Sequence, residues 1–207
     1  GRRRERFPER TVFNRLCDIE WNTPIGEAVS CGGDALIRVS ALQDVDGYRN
    51  SLIAGEEPEL CYRLRQKDWK IVRLDREMAL HDAAITKLGQ WWKRSKRAGY
   101  AYTASALLHG QSMERFRVRE VIRIIFWGGV LPVIFLAGLA IPLLSIMVLL
   151  VYLIQFFRLR RRAPLEKKLA AVWAFFLILG KLPELFGVAK CLGDVLFTRQ
   201  STIIEYK

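Results

Sequence analysis

A long, almost wholly apolar stretch from Val121 to Phe157 constrains this chain more than any other feature of its sequence. As one helix of about 37 residues it would be roughly 55 Å long, whereas the hydrocarbon core of a membrane is about 30 Å thick. Gly138 and Pro142 interrupt the stretch near its middle. The sequence therefore predicts a hairpin of two short membrane spans that turns near Gly138 to Pro142.

Arginines flank the predicted hairpin on both sides, between Arg115 and Arg119 and again between Arg158 and Arg162. Because Lys and Arg accumulate on the cytoplasmic side of membrane spans, both flanks are expected in the cytoplasm. A second apolar segment, Leu169 to Leu179, has only about 11 residues, which is short for a crossing. We expect it to lie in the membrane interface or to be re-entrant, after a basic linker from Arg158 to Lys168.

The charge balance favours an anionic partner. Lys and Arg number 33 against 21 Asp and Glu, which gives a net charge of +12. Nucleic acid, a diphosphate group or the cytoplasmic membrane surface would each suit this excess. The N-terminal arginine cluster is a weak nucleic-acid signal, because runs of like charge are usually solvated. No nucleic-acid partner is therefore expected.

The four cysteines are far apart in the sequence and form no C-x-x-C pair; they are Cys17, Cys31, Cys61 and Cys191. This spacing signals neither a zinc site nor a disulfide framework, and free thiols in a reducing compartment are expected. Residues 1–10 have no initiating Met and no apolar signal core. The chain is therefore expected to be the later portion of a longer protein.

Local patterns predict several short elements in the first half of the chain. Residues 1–25 are charged and sparsely apolar, but Phe13, Leu16, Ile19 and Trp21 are spaced as on one face of a helix, so a helix is predicted in this region. The segment from Ala35 to Val39 is strand-like. Ser40 with Gln43 matches a capping box and Gly47 a helix stop, which predicts a short helix over Ala41 to Val45.

The stretch from Gly55 to His81 brings acidic residues, a helix start and a histidine together. Because proline is favoured in the first helical turn, a helix is predicted to begin at Pro58 with Glu57 at its mouth. Leu60 and Leu64 lie four residues apart and should form its buried stripe. The segment after this helix, Trp69 to Leu74, alternates like a strand and should carry the chain back towards His81.

Three of these features occur in an order that resembles the second half of an inverting glycosyltransferase of the GT-A fold. That family has a GG-x-x-x-x-R loop, which here reads Gly32, Gly33 and Arg38. An acidic pair after a glycine follows, here Glu56 and Glu57, and then a histidine after the next strand. Glu57 stands where the family usually has Asp, and no Asp-x-Asp motif precedes the glycine loop.

The resemblance implies a fold and a site. The fold class would be α/β, namely the C-terminal part of a GT-A-type, Rossmann-like glycosyltransferase domain, followed by a transmembrane helical hairpin and interfacial helices. Glu57, supported by Glu56, would be the catalytic base. The loop residues Gly32, Gly33 and Asp34 would contact substrate. His81 would be a ligand of a divalent metal ion, Mg²⁺ or Mn²⁺.

Two interpretations of the acidic cluster remain open at this point. Packing Glu56, Glu57 and Glu59 together would raise the pKa of at least one carboxyl group, as a general base requires. The same residues could instead be favourable charges at a helix N-terminus, with no catalytic role. His81 could likewise be structural rather than a metal ligand.

Aromatic and basic residues mix between Leu88 and Tyr102, as is typical of a helix at the level of lipid headgroups. A second interpretation is that Gln90, Trp91 and Trp92 bind substrate, because they resemble the Gln-x-x-Arg-Trp acceptor motif of processive polysaccharide synthases. The order here is Gln-Trp-Trp-Lys-Arg, so processivity is not implied. Membrane seating is the main role expected for both tryptophans.

These expectations combine into one hypothesis and a rival. Residues 1–110 would be the C-terminal part of a glycosyltransferase domain without its donor-binding half, 111–157 the membrane hairpin, and 158–207 the linker, interfacial segment and tail. The protein would sit in the bacterial inner membrane as a multi-pass enzyme with its catalytic part in the cytoplasm. It would transfer sugar from a nucleotide-sugar donor to a lipid-linked or saccharide acceptor, and this chain alone would be inactive. The rival is a non-catalytic membrane module that binds anionic lipid or a partner protein.

Overall fold

A computed structural model describes residues 1–197, and these form two units, the first ending at Arg94 and the second beginning at Ser95. Residues 198–207, which belong to the predicted C-terminal tail, lie outside the described range. The described part is mostly helical. Small sheets occur in the first unit, and long apolar helices make up most of the second.

The first unit contains four short strands and three helices before its last helix begins. In chain order they are β1 (Arg2–Glu5), α1 (Val12–Trp21), β2 (Gly26–Glu27), α2 (Val39–Asp44), α3 (Glu56–Gln66), β3 (Val72–Arg73), β4 (Glu77–His81) and the start of α4 (Leu88–His109). β1 pairs in parallel with β4, so that Glu5 lies opposite His81, and β2 pairs antiparallel with β3. Residues 1–94 thus combine helices with two two-stranded sheets, and the larger Rossmann-like sheet that the sequence predicts is not seen in them.

The predictions for individual elements have mixed outcomes. The helix predicted near Phe13 to Trp21 forms as α1, capped by the Thr11 hydroxyl, which accepts a bond from the Asn14 N–H. The prediction of a strand over Ala35 to Val39 is wrong, because this segment is a loop up to Val39, where α2 begins. Ser40 is also not a cap, since it lies inside α2, whose N-cap is Arg38.

The helix predicted at Pro58 begins two residues earlier. Gly55 caps α3 in the left-handed conformation, with φ of 79°, which glycine adopts without a steric penalty. Leu60 and Leu64 are buried as predicted and pack against Ala41 and Val45. This small core fixes α3 against α2, and therefore the start of α3 against the preceding loop.

A buried polar network holds β1 to α1. Asp18 accepts two bonds of 2.8 Å from the Arg4 guanidinium and a third from the Glu5 N–H. The bonds from Arg4, more than the backbone bond, lower the pKa of the Asp18 carboxyl. The carboxylate of Glu5 in turn accepts bonds from the Asn14 side chain and the Ala83 N–H. The network ties the first strand to the residues that follow β4.

The second unit contains most of α4, and five further helices follow α4 in its described part. They are α5 (Val118–Ile125), α6 (Leu131–Ala137), α7 (Pro142–Arg162), α8 (Lys167–Leu179) and α9 (Lys181–Leu196). A π-helical segment, Phe126–Val130, joins α5 to α6, and a short 3₁₀ turn, Gly138–Ala140, follows α6. Pro132 explains the π-helical segment, because its ring excludes the ordinary helical bond to the residue four places earlier.

Three helical stretches are long and apolar enough to cross a membrane: Val118–Ala140, Pro142–Arg162 and Lys167–Leu196. The predicted turn near Gly138 to Pro142 separates the first two. The third joins α8 and α9 without a break at Gly180, whose backbone stays helical. The apolar run from Leu169 to Leu179 predicts only a short interfacial or re-entrant segment here, so the sequence predicts two spans where the described residues contain three candidates.

Glycines allow close helix packing in the second unit. A Cβ on Gly99 of α4 would overlap the Glu184 backbone of α9, and one on Gly187 of α9 would overlap the Lys96 carbonyl of α4. Small residues at such crossings let two backbones touch, as is common among membrane helices. Between the first two apolar stretches, the Tyr152 hydroxyl donates a 2.5 Å bond to the Trp127 carbonyl.

Candidate functional site

A cleft of about 740 Å³ lies within the first unit, beside the glycine loop. Gly32 and Asp34 of the predicted site line it, together with Cys31 from the same loop and Cys61 of α3. Apolar side chains form much of the wall; they include Trp21, Leu36, Ile37, Leu64 and Trp69. A cleft of this size and character can hold a small organic molecule.

The loop and the predicted base meet beside this cleft. Gly33 lies so close to Glu57 that a Cβ on Gly33 would come within 3.3 Å of the Glu57 Oε1 atom. A glycine at this position therefore permits close approach between the loop backbone and the carboxylate. Partial burial, assisted by the negative charges of Glu57 and Glu56, raises the pKa of nearby Tyr48. The acidic pair and the glycine loop are thus neighbours.

Glu56 and Glu59 have different surroundings from those expected. One oxygen of Glu56 is buried and has no hydrogen-bond partner among the described residues. Glu59 is fully buried, and its carboxylate pairs with the guanidinium groups of Arg63 and Arg49. Residues two apart in a helix point to opposite sides, so Glu59 does not join Glu57 on one face. The expected cluster of three carboxylates is therefore a pair plus a separate structural ion pair.

Asp34 and Gly32 both contact Arg3 of β1. The Arg3 guanidinium forms an ion pair with Asp34 and lies over the Trp21 ring, 5.5 Å from its centroid. A Cβ on Gly32 would come within 2.8 Å of an Arg3 nitrogen. The sequence predicts solvated N-terminal arginines, whereas Arg3 is in fact held against the glycine loop.

Unneutralised positive charge borders the cleft. Arg38, Lys70 and Arg73 line it, and within residues 1–197 none of the three has a carboxylate partner. Arg73 donates to the Trp21 carbonyl, while its Nε atom is buried without a hydrogen-bond partner in the described range. Burial lowers the pKa of Arg73, and the nearby charges of Arg2 and Arg3 lower it further. An anion entering the cleft would relieve this concentration of positive charge.

His81 ends β4 and packs edge-on against Trp21, with ring centroids 5.3 Å apart. It does not line the cleft. Among the residues that the structure describes, no group of three or more His, Cys, Asp or Glu side chains is arranged to hold a metal ion. The donor set that these residues supply around His81 therefore does not fit the Mg²⁺ or Mn²⁺ site that the resemblance implies.

The three residues of the predicted acceptor motif lie at the start of α4, away from the cleft lining. The Gln90 side-chain oxygen accepts bonds from the backbone N–H groups of Thr86 and Lys87, as a capping residue does. Trp91 is buried and stacks on Phe13, with centroids 6.2 Å apart. Trp92 is half-buried. Two of the three side chains are therefore engaged in holding the fold.

Sequence reasoning missed several residues of the cleft. Arg3 and Arg73 occur in ordinary basic patterns, and only the pairing of β1 with β4 and of β2 with β3 brings them to the loop. Cys31 and Cys61 are separated by thirty positions, and no spacing rule joins them. Comparisons with protein families, with curated proteins and with solved structures found no match to this chain.

Proposed function

We propose that this chain is the acceptor-side part of an inverting, nucleotide-sugar-dependent glycosyltransferase held in the bacterial inner membrane. One observation carries the proposal: the Glu57 carboxylate abuts Gly33, so the two motifs of the resemblance meet at one place. They are separated by more than twenty residues of sequence, and a chance motif match would not require that contact. We include in this proposal that the complete catalytic domain, of which residues 1–110 would be the C-terminal part, has the GT-A fold.

In the proposed reaction, Glu57 takes the proton from the acceptor hydroxyl as its oxygen attacks the anomeric carbon of the donor sugar. The nucleoside diphosphate leaves from the opposite face, which inverts the configuration. Glu56, with one buried oxygen that lacks a partner among residues 1–197, adds negative charge beside the base. The described residues around His81 do not fit the metal ion that the resemblance implies, so no step of this reaction is assigned to it.

The charge of the cleft supports anionic substrates. Arg38, Lys70 and Arg73 offer positive charge next to apolar walls, which suits a phosphate-bearing molecule with a less polar part. A nucleotide-sugar donor and a lipid-linked acceptor both have this character. The three apolar stretches would tether the site to the membrane in which a lipid-linked acceptor is concentrated. The arginine flanks of the first two apolar stretches support a cytoplasmic position for the site.

The test is sugar transfer in membranes that contain the full-length protein, with a panel of labelled nucleotide sugars. Glu57→Gln keeps the shape and removes the base, so turnover should fall by about 10² to 10⁴ fold while donor affinity changes little. Glu27→Gln, the same change at an exposed position, is the matched control. Glu59 is unsuitable as a control because it is buried in an ion pair.

Three results would overturn the assignment in different ways. If Glu57→Gln turns over normally and Glu56→Gln is inactive, the base is the neighbouring residue. If both variants keep normal turnover, the acidic pair is not catalytic. Binding of anionic vesicles without transfer from any donor in the panel would favour the non-catalytic membrane module instead.

A further inference from the structure

Two cysteines that are remote in the sequence meet at the glycine loop. The Sγ atoms of Cys31 and Cys61 lie 3.4 Å apart, and the backbone N–H of Cys31 also points at the Cys61 sulfur, 3.4 Å away. Cys31 directly precedes Gly32 in the loop, and Cys61 lies on α3, four residues after Glu57. Both cysteines line the cleft. The pair therefore spans the two segments that form the candidate site.

The two thiols are chemically unequal. The hydrogen bond from Cys31 lowers the pKa of Cys61 to about 7 despite burial, and the Cys31 N–H and the Arg65 charge act in the same direction. The same hydrogen bond, together with burial, raises the pKa of Cys31, which keeps its proton. A thiolate next to a thiol is the arrangement in which one sulfur attacks an oxidant and the other resolves the product. By contrast, burial raises the pKa of Cys17 to about 11, so that thiol is unreactive.

We infer that Cys31 and Cys61 form a redox modification site, a reversible disulfide that fixes the glycine loop to α3. The oxidant is a peroxide small enough to reach the cleft wall, such as hydrogen peroxide. The Cys61 thiolate attacks one peroxide oxygen, the O–O bond breaks, and protonation of the departing oxygen releases water and leaves a sulfenic acid. The Cys31 sulfur then attacks the Cys61 sulfur, its proton goes to the departing hydroxide, and a second water leaves. Two thiols and one peroxide thus give one disulfide and two waters.

Closing the bond changes the site. A disulfide has sulfur atoms about 2.05 Å apart, so the present 3.4 Å separation must shorten by about 1.4 Å. Gly32 and Gly33 follow Cys31 directly, and Gly33 already abuts Glu57. If Glu57 is the base, which rests on the proposed function, a shift of this size would misplace the acceptor and lower turnover by on the order of 10² fold. Reduction should restore the open site.

The chemical test treats the full chain in detergent with hydrogen peroxide, removes the peroxide, and then unfolds the chain so that a maleimide labels every remaining thiol, including the buried Cys17 and Cys191. Mass spectrometry of the digest should find the Cys31 and Cys61 peptides linked and the Cys17 and Cys191 peptides still labelled. Dithiothreitol should reverse the link. Cys31→Ser and Cys61→Ser should each abolish it, whereas Cys17→Ser is the matched control and should leave it intact. Four thiols still labelled after peroxide, or oxidation of either cysteine without a link, would overturn the proposal.

The functional test is separate from the chemical one. If the protein transfers sugar from a donor in the panel, the rate of transfer should fall when the protein is oxidised and recover with dithiothreitol. The rate of the Cys31→Ser variant should not fall when peroxide is added. A disulfide that forms without changing turnover would leave the modification site standing and refute its effect on catalysis. If no donor is turned over, the linked peptides still decide whether the site exists, because their detection needs no activity.

Discussion

The buried ion pair of Glu59 offers a sharp test of what holds the candidate site in place. Its carboxylate is fully buried and accepts bonds of 2.9 to 3.0 Å from Arg63 and one of 3.2 Å from Arg49. Arg63 also donates to the carbonyls of Val45 and Gly47. The pair therefore clamps the first turn of α3, which carries Glu57, to the end of the preceding helix.

Glu59→Gln removes the charge at nearly constant shape. The new amide N–H₂ group must face guanidinium donors, and water cannot replace the lost bonds at position 59 because the Glu59 side chain has no exposed surface. Removing one partner of a buried ion pair costs about 3–5 kcal/mol. A unit of about 94 residues then loses at least about 12 °C of its unfolding midpoint, at roughly 4–8 °C for each kcal/mol.

The assay is thermal unfolding of the full chain in detergent, followed by tryptophan fluorescence and repeated with Arg63→Gln and the double variant. The control Glu27→Gln makes the same change at an exposed position and should stay within about 0.5 kcal/mol of the parent. Contacting residues should show a coupling energy of about 0.5–3 kcal/mol. A small shift for Glu59→Gln, or strict additivity with Arg63→Gln, would refute the clamp.

Three further predictions concern other parts of the chain. The pKa of the Asp18 carboxyl in the folded state lies below its unfolded value of about 3.9. Its contribution to the free energy of unfolding is therefore fully present above about pH 3.9 and is lost as the pH falls through the folded pKa. Urea unfolding at several pH values should show that Asp18→Asn makes stability depend less steeply on pH on the acid side. Gly187→Ala should cost about 1–3 kcal/mol in thermal unfolding by overpacking the helix crossing. Gly193→Ala, where a Cβ would have no atom of residues 1–197 within 4 Å, should not destabilise the protein. Single cysteines at Arg119 and Arg160, in a variant without native cysteines, should both be protected from an impermeant thiol reagent in intact cells. Labelling of only one would contradict the hairpin.

Features set by local sequence could be predicted, because their causes lie within a few residues. The buried stripe of Leu60 and Leu64 needs only helical spacing, and the turn at Gly138 needs only helix-breaking residues near the middle of an apolar stretch. The first residue of a helix is harder to predict from local sequence. Gly55 can adopt a left-handed conformation that serves as the N-cap, so α3 begins before Pro58 rather than at it.

Features set by long-range contacts could not be predicted. The Ala35 to Val39 segment has strand-like composition, but no described strand pairs with it, so it remains loop along the cleft. In the sequence, Arg3 cannot be told apart from its neighbouring arginines, which are expected to be solvated. The ion pair between Arg3 and Asp34 forms only because strand pairing places the two residues side by side. The contact between Cys31 and Cys61 likewise depends on how the loop lies on α3, which no spacing rule encodes.

The Gln90, Trp91 and Trp92 segment shows how packing assigns roles that a motif leaves open. Neighbouring residues in a helix point about 100° apart, so Trp91 and Trp92 have different surroundings. Trp91 is only 6% exposed and stacks on Phe13, which gives it a place in the core of the first unit. Gln90 caps the same helix. Trp91→Ala should therefore act through stability rather than through contact with a sugar or the membrane.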